Sequence, residues 1–260
     1  MRLMRSTVVA ASVAVVFGMS LSNAMAKDEA VKTGTESKAV KVESAKTASA
    51  PKLVKDHAGN ISNASKVVKE IAAIPKRKIP PVLLNGASAI VIVPKVAKQS
   101  LMVSGGSAGG VLLVHDSEGK WSSPVFITIS GGTLGWQIVG DPLDIVLVIK
   151  SKKSVDAILK GKFTLDAKVA VEPGRLGPTM KGATVKEQKA EIASYVRSHG
   201  AFAEEVTTAG SILQIDAAAN DAFYAKPKVE AGDIVSGKAV KSTEDVKALQ
   251  KLLADYAAAK

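Results

Sequence analysis

Ala89-Ile-Val-Ile-Val93 is the stretch that decides the fold class of this 260-residue chain. Four of its five residues are β-branched and Pro94 follows directly, which is typical of a short, buried β-strand. Similar runs are Leu101-Met-Val103, Val111-Leu-Leu-Val114, Val125-Phe-Ile-Thr-Ile129 and Ile145-Val-Leu-Val-Ile149. Glycine-containing turns separate most of them, which favours antiparallel pairing over the long crossovers of a parallel sheet. The sequence therefore predicts an antiparallel, β-rich α+β domain.

Helical patterns flank the strand region on both sides. From Asn63 onward, apolar residues recur at helical spacing and Pro75 ends the pattern: Ala64, Val67, Val68, Ile71 and Ile74. Further helices are predicted at Val155 to Leu159 and at Ala217 to Tyr224. The last helix carries one apolar stripe and is predicted to be capped by Ser242: Val246, Leu249, Leu253 and Tyr256. The strand region is thus expected to carry helices at both ends.

Two further strand segments and a long loop complete the pattern. Residues 192–206 and 212–215 are predicted as strands, whereas residues 172–190 are predicted as a loop. The glycines at 105, 106, 131, 132 and 135 are expected in hairpins, bulges or tight β contacts, where a side chain would be costly. Trp136, which follows them, is expected to be buried beneath the sheet.

Residues 1–26 have the pattern of a secretory signal peptide. Arg2 and Arg5 precede the apolar stretch 7–17, and Ala24-Met25-Ala26 forms an A-x-A cleavage site. Polar residues from Gly18 onward interrupt the apolar stretch too early for a transmembrane helix, which needs about 20 apolar residues. Cleavage after Ala26 predicts a periplasmic or secreted protein.

The remaining chain divides into three parts. Residues 27–59 contain no aromatic residue and are rich in Lys, Glu, Ser, Thr and Ala, so they are predicted to form a disordered basic tether. The α+β domain is expected over residues 60–225. Residues 226–260 are expected to form a linker and the C-terminal helix.

The composition excludes several classes of function. There is no cysteine, so no disulfide framework, thiolate metal site, iron–sulfur cluster or cysteine nucleophile can exist. Aromatic residues make up only 4%, too few for a nucleic-acid-binding protein that stacks bases. The formal net charge of +11 points instead to an anionic partner.

The motifs tested for catalysis do not fit an enzyme. The run from Gly105 to Gly109 matches the G-x-S-x-G pattern of a serine-hydrolase nucleophile elbow, which needs a helix after its serine. A strand-like run follows here, so these glycines are predicted to turn a hairpin. His57, His115 and His199 lack metal-ligand spacing. Asp141 and Asp144 flank Pro142-Leu143 and are typical of a turn and a strand start. The sequence therefore predicts a non-enzymatic protein without a metal or cofactor.

Two lysine clusters are the candidate binding residues. The first lies on the N-terminal helix and its exit: Lys66, Lys69, Lys76, Arg77 and Lys78. The second follows the strand at 145–149 and consists of Lys150, Lys152 and Lys153, with Lys160 and Lys162 nearby. They are either solvated surface charges or a surface for anionic lipid, and the apolar face of the helix either enters the headgroup region or packs on the sheet.

A series of motifs occurs in the order found in one known family. They include Trp121-Ser-Ser-Pro124, Gly131-Gly-Thr-Leu-Gly-Trp-Gln-Ile138, Gly161-Lys-Phe-Thr-Leu165 and Ala190-Glu-Ile-Ala-Ser-Tyr195. Together, residues 60–225 resemble the SYLF lipid-binding domain, which is also catalogued as an actin-regulator domain after its yeast members. The chain looks like a bacterial exported member. The resemblance implies a non-enzymatic domain that binds membrane lipid partly through a basic amphipathic N-terminal helix.

The expected function is a lipid-binding or membrane-surface-binding module of the cell envelope that recognises anionic phospholipid. The alternative is an envelope protein-interaction or structural module with a protein partner and no lipid binding. Nucleic acid is not an expected partner, because export removes the protein from it.

Overall fold

Nine strands form one sheet in the part of the chain that the structure describes. The computed structural model describes residues 50–73, 79–102, 106–132, 134, 138, 140–165, 171–173, 191–198, 201–202, 208–239 and 243–259. The strands are β1 (Ala89–Val96), β2 (Ser107–Val114), β3 (Val125–Gly131), β4 (Leu143–Ile149), β5 (Lys162–Thr164), β6 (Val171–Pro173), β7 (Ile192–Ser198), β8 (Ala201–Phe202) and β9 (Ser211–Ile215). Their order is β5-β9-β3-β2-β1-β4-β7-β6, and β8 pairs with β7.

The pairing of the strands confirms the predicted antiparallel α+β fold. Every described pairing is antiparallel except that of β6 with β7, which is parallel. In the centre, β1 pairs with β2 on one side and with β4 on the other. Because β1 is the middle strand, Ala89-Ile-Val-Ile-Val93 is buried on both faces, as its unbroken apolar run predicts.

Helices cover both faces of the sheet. They are α1 (Ala50–Ala73), α2 (Pro81–Asn85), α3 (Lys98–Met102), α4 (Lys152–Leu159), α5 (Ala217–Tyr224), α6 (Ala231–Val235) and α7 (Glu244–Ala258). Ile90 and Ile92 face one core cluster, which includes side chains of α1, α2, α5 and α7. Val91 and Val93 face a second cluster, which includes side chains of α4 and α6. The alternation of side chains along β1 thus sorts the helices into two layers.

Helix α1 runs across the strands rather than along them. Asn60 lies beside Gly109 of β2, and Glu70 forms an ion pair with Arg197 of β7. Ten helical residues span about 15 Å. The three strand spacings from β2 through β1 and β4 to β7 span about 14 Å. The helix therefore bridges the central strands, and its apolar residues lie over them.

Two predictions about local structure are wrong. Leu101-Met-Val103 was expected to be a strand, but Leu101 and Met102 belong to the short helix α3, which has no buried residue. The run from Gly105 to Gly109 was expected to turn a hairpin, but Ser107 begins β2 and Gly109 lies inside it. Gly106 does lie in the connection between the antiparallel strands β1 and β2. The turn that joins β2 to β3 includes residues 115–121, where His115 bridges to Trp121.

The ends of the domain also differ from the prediction. Helix α1 begins at Ala50, inside the segment 27–59 expected as a tether. Helix α7, expected outside the domain, buries Val246, Leu249, Leu253 and Tyr256 in the same cluster as α1. Its N-cap is Thr243, whose side chain accepts a hydrogen bond from the Val246 N–H, whereas Ser242 lies outside the described residues. Helix α7 packs on the domain because the apolar stripe along one of its faces must be buried against another part of the protein.

Candidate functional site

The apolar stripe of α1 packs on the sheet. Val67 and Val68 are 3% exposed and Ile71 is 1% exposed, within the cluster that includes Ile90 and Val146. Ile74 lies outside the described residues. The apolar face of α1 was expected either to enter the headgroup region of a membrane or to pack on the sheet. The described residues of the stripe pack on the sheet and belong to the core.

Lys66 and Lys69 lie on the opposite, exposed face of α1. Glu70 beside them contributes to a network at one end of the sheet. Its carboxylate accepts a hydrogen bond from Arg197 at 2.5 Å, and Asp144 at the start of β4 accepts another at 2.5 Å. Burial opposes the charge of Arg197, but these hydrogen bonds raise the pKa of the guanidinium above its ordinary value. The network fastens α1 to β4 and β7.

Lys76, Arg77 and Lys78, the third part of the first candidate cluster, lie outside the described residues, as do Gly105, Gly135 and Trp136. Gly132 is described and confirms its expected tight contact. A Cβ on it would lie 2.8 Å from the carbonyl carbon of Gly210, and its φ is +65°. Only glycine fits this approach between the end of β3 and the start of β9.

The second candidate cluster lies at the other end of β4. Lys150 follows the strand directly, and its N–H donates to the Glu191 carbonyl at 2.9 Å. Lys152 and Lys153 are exposed in the first turn of α4, which contains no acidic residue. The positive end of the helix therefore adds to the field of both lysines. Asp144 and Lys150 are six residues apart, which in a strand corresponds to about 20 Å.

Helix α2 joins the same end of the sheet. Ser88, just after α2, donates its N–H to the Ile149 carbonyl at 2.8 Å and its Oγ–H to the Lys150 carbonyl at 2.7 Å. These bonds place the chain after α2 and the start of α4 at the same end of the sheet, although the two helices pack on opposite faces. We call the surface formed by α2, Lys150 and the first turn of α4 the α2–α4 edge.

The carboxylates near the α2–α4 edge are held in local contacts. Glu191 accepts a hydrogen bond from Ser154 Oγ at 2.9 Å. In the β2–β3 turn, Glu118 pairs with Lys120 at 2.7 Å. Asp116 accepts hydrogen bonds from the backbone N–H groups of Lys120 and Glu118, which lower its pKa. The turn lies at the same end of the sheet, on the other side of β1 from Lys150, because the His115 N–H donates to the Ser88 carbonyl at 2.9 Å.

The structure thus separates the candidate residues. Lys66 and Lys69 lie on a helix of one layer, whereas Lys152 and Lys153 lie on a helix of the other layer. Lys150, Lys152 and Lys153 are brought together at one edge. Sequence reasoning missed Val82 at that edge: it lies on α2 and is 62% exposed. The sequence does not predict the exposure of Val82, because the run Val82-Leu83-Leu84 has no periodicity that distinguishes an exposed residue from a buried one.

The described residues contain no arrangement typical of an enzyme. Ser107 follows the short helix α3 and begins a strand, the reverse of the strand–serine–helix order of a nucleophile elbow. His115 stacks on Trp121 with ring centroids 4.5 Å apart, and its Nδ1 lies 3.1 Å from the Ala87 carbonyl oxygen. Among the described residues, no group of three His, Asp or Glu side chains could hold a metal ion. No described helix is long and apolar enough to cross a membrane.

Comparison with known proteins gives one family match. The model of the Ysc84 family, described as Las17-binding protein actin regulator, matches residues 130–256. The match begins at the end of β3 and includes α7, so it covers the helix that was expected outside the domain. The description names binding and regulation rather than a reaction.

Curated relatives agree with that match. SH3 domain-containing YSC84-like protein 1 of Xenopus laevis is 29% identical over 183 residues, which is 70% of this chain and 54% of that protein. The human protein of the same name is 30% identical over 63% of this chain and 47% of its own length. Protein YSC84 of Saccharomyces cerevisiae is 30% identical over 56% of this chain and 31% of its own length. The chain spans about half the length of the first of these relatives.

Proposed function

The chain belongs to the Ysc84 family, as its ordered motifs predict, and from this membership we propose that it is a non-enzymatic module that binds anionic phospholipid membranes. The lipid part of the proposal is supported by the motifs shared with the SYLF lipid-binding domain. It is also supported by the exposure of Lys152 and Lys153 at the α2–α4 edge, which is the single observation that carries it. The proposed place of action is the cell envelope after export, which the signal-peptide pattern of residues 1–26 predicts.

Binding is proposed to occur through exposed charge and not through the apolar stripe of α1. Each lysine close to an anionic surface contributes about 1 kcal/mol. The exposed Lys152 and Lys153 together therefore supply about 2 kcal/mol, before any help from the half-buried Lys150 and the positive end of α4. Lys66, Lys69 and the segment from Lys76 to Lys78 are proposed as further contacts, each to be tested separately.

The experiment is co-sedimentation with vesicles of phosphatidylglycerol and phosphatidylcholine, compared with phosphatidylcholine alone. We expect wild-type protein to bind the anionic vesicles only, and to bind more weakly as salt increases, because salt screens exposed charges. Changing Lys152 and Lys153 together to Glu should weaken binding at least thirtyfold, the equivalent of about 2 kcal/mol. Changing Lys76, Arg77 and Lys78 together to Glu should abolish it while the circular-dichroism spectrum stays native.

The matched control is the double change of Lys95 and Lys98 to Glu. Both are exposed. Lys95 lies near the other end of β1 and Lys98 follows the strand, so the net charge changes equally while the α2–α4 edge is untouched. Equal losses in the control and in the Lys152 and Lys153 variant would mean that total charge alone drives binding. Absence of wild-type binding to any vesicle would refute the lipid function.

That last result would favour the second candidate, an envelope protein-interaction module. The observation on its side is the description of the family model, which names the binding of a protein. Under that alternative the α2–α4 edge would contact an acidic protein surface.

A further inference from the structure

Val82 is the most exposed large hydrophobic residue in the described part of the chain. Its exposed fraction is 62%, whereas its neighbours on α2, Leu83 and Leu84, are 4% and 0% exposed. Pro81 opens the helix, and the Leu83 N–H donates to the Pro80 carbonyl at 2.9 Å. The backbone of α2 is thus fixed, and Val82 is directed away from the core.

Val82 lies at the same end of the sheet as the lysines of the α2–α4 edge. The Gly86 N–H donates to the Val82 carbonyl at 3.1 Å, which closes the helical turn. Two residues later, Ser88 is hydrogen-bonded to Ile149 and Lys150. One ordered connection of a few residues therefore links an exposed apolar side chain to a cluster of cations.

We propose that Val82 is an apolar anchor that enters the headgroup boundary of an anionic bilayer while Lys150, Lys152 and Lys153 contact lipid phosphates. This inference rests on the proposed lipid function and adds the residue and the orientation of docking. Charge complementarity selects a bilayer as the occupant. A protein interface of comparable strength would need an apolar core of several side chains, whereas one apolar residue beside cations suits the boundary between headgroups and acyl chains.

Met102 provides an internal comparison. It is the other large hydrophobic residue exposed in the described chain, at 38%, and it lies on α3. Helix α2 precedes β1 and α3 follows it, and the eight residues of β1 span roughly 24 Å. A bilayer that contacts the α2–α4 edge with the strands pointing toward it cannot reach Met102.

The experiment uses tryptophan as a depth probe. Val82→Trp and Met102→Trp are mixed separately with phosphatidylglycerol vesicles that carry bromine on the acyl chains, which quenches nearby tryptophan. Wild-type protein, with its own two tryptophans, gives the background. We expect additional quenching in Val82→Trp and none in Met102→Trp. In parallel, Val82→Asn should weaken binding about tenfold, because a half-buried valine contributes about one decade of affinity.

The outcomes separate the two proposals. If wild-type protein does not sediment with anionic vesicles, the lipid function fails and this inference fails with it. If wild-type protein sediments but Val82→Trp is not quenched, or Met102→Trp is quenched equally, the lipid function stands and the anchor is refuted. Native circular dichroism of each variant excludes misfolding as the cause.

Discussion

Replacement of Gly110 by alanine should strongly destabilise this fold. Gly110 lies in β2 opposite the end of β1. A Cβ on it would lie 2.5 Å from the Ile92 carbonyl oxygen and 2.8 Å from Val93 Cγ2. The Val93 Cα would be 3.0 Å away, so rotation of the Val93 side chain does not relieve the overlap.

The magnitude follows from which atoms must move. Overpacking of a well-packed core costs about 1 to 3 kcal/mol. Because two of the three close atoms belong to the backbone of the central strand, we expect the upper end, about 3 kcal/mol. For a chain of this size each kcal/mol lowers Tm by about 2 to 4 °C, so the expected decrease is about 6 to 12 °C.

The assay is urea unfolding followed by circular dichroism, with Gly232→Ala as the matched control. A Cβ on Gly232 would meet no atom within 4 Å, and this residue lies in α6. There alanine should be neutral or stabilising by up to about 1 kcal/mol, because it is the better helix former. A Gly110→Ala protein with wild-type stability and an unchanged m-value would refute the close approach of β2 to β1.

Two further changes test polar contacts in the core by the same unfolding assay. Arg197→Met should cost about 1.5 to 3 kcal/mol because it removes the charged hydrogen bonds to Glu70 and Asp144, and a loss below 1 kcal/mol would show that the network contributes little. Asn220→Ala should cost about 2 to 3 kcal/mol, since this fully buried amide accepts from the Phe126 N–H and donates to the Phe126 carbonyl; stability equal to that of wild type would mean that other groups satisfy Phe126.

The sequence predicted the elements whose pattern is strong. The strand at 89–93 was identified because unbroken β-branched residues leave few alternatives. The helix at 217–224 was also identified, and in the structure Asp216 caps it. The prediction of a strand at Leu101-Met-Val103 failed because three apolar residues fit either a strand or a helical turn. The turn prediction for Gly109 failed because a glycine needed for close packing inside a strand resembles one needed for a turn.

The candidate site was predictable in residue type but not in geometry. Lysine clusters are visible in a sequence, yet only the sheet order shows that Lys66 and Lys152 belong to different layers. The connection from Ser88 to Lys150 spans 62 residues of chain and has no local signal. Likewise, nothing in Val82-Leu83-Leu84 indicates which side chain points outward until the helix is placed on the sheet.

The burial of the α1 stripe limits which side chains the proposed membrane association can use. Releasing the helix would expose four large apolar side chains, those of Ile61, Val67, Val68 and Ile71. At about 1.5 to 3 kcal/mol each, the cost would be about 6 to 12 kcal/mol. That is comparable with the entire stability of a typical domain, about 5 to 15 kcal/mol. A few lysine contacts of about 1 kcal/mol each cannot offset such a cost. Membrane association of the intact fold is therefore expected to use side chains that are already exposed, and the α2–α4 edge supplies both the charge and the apolar residue for it.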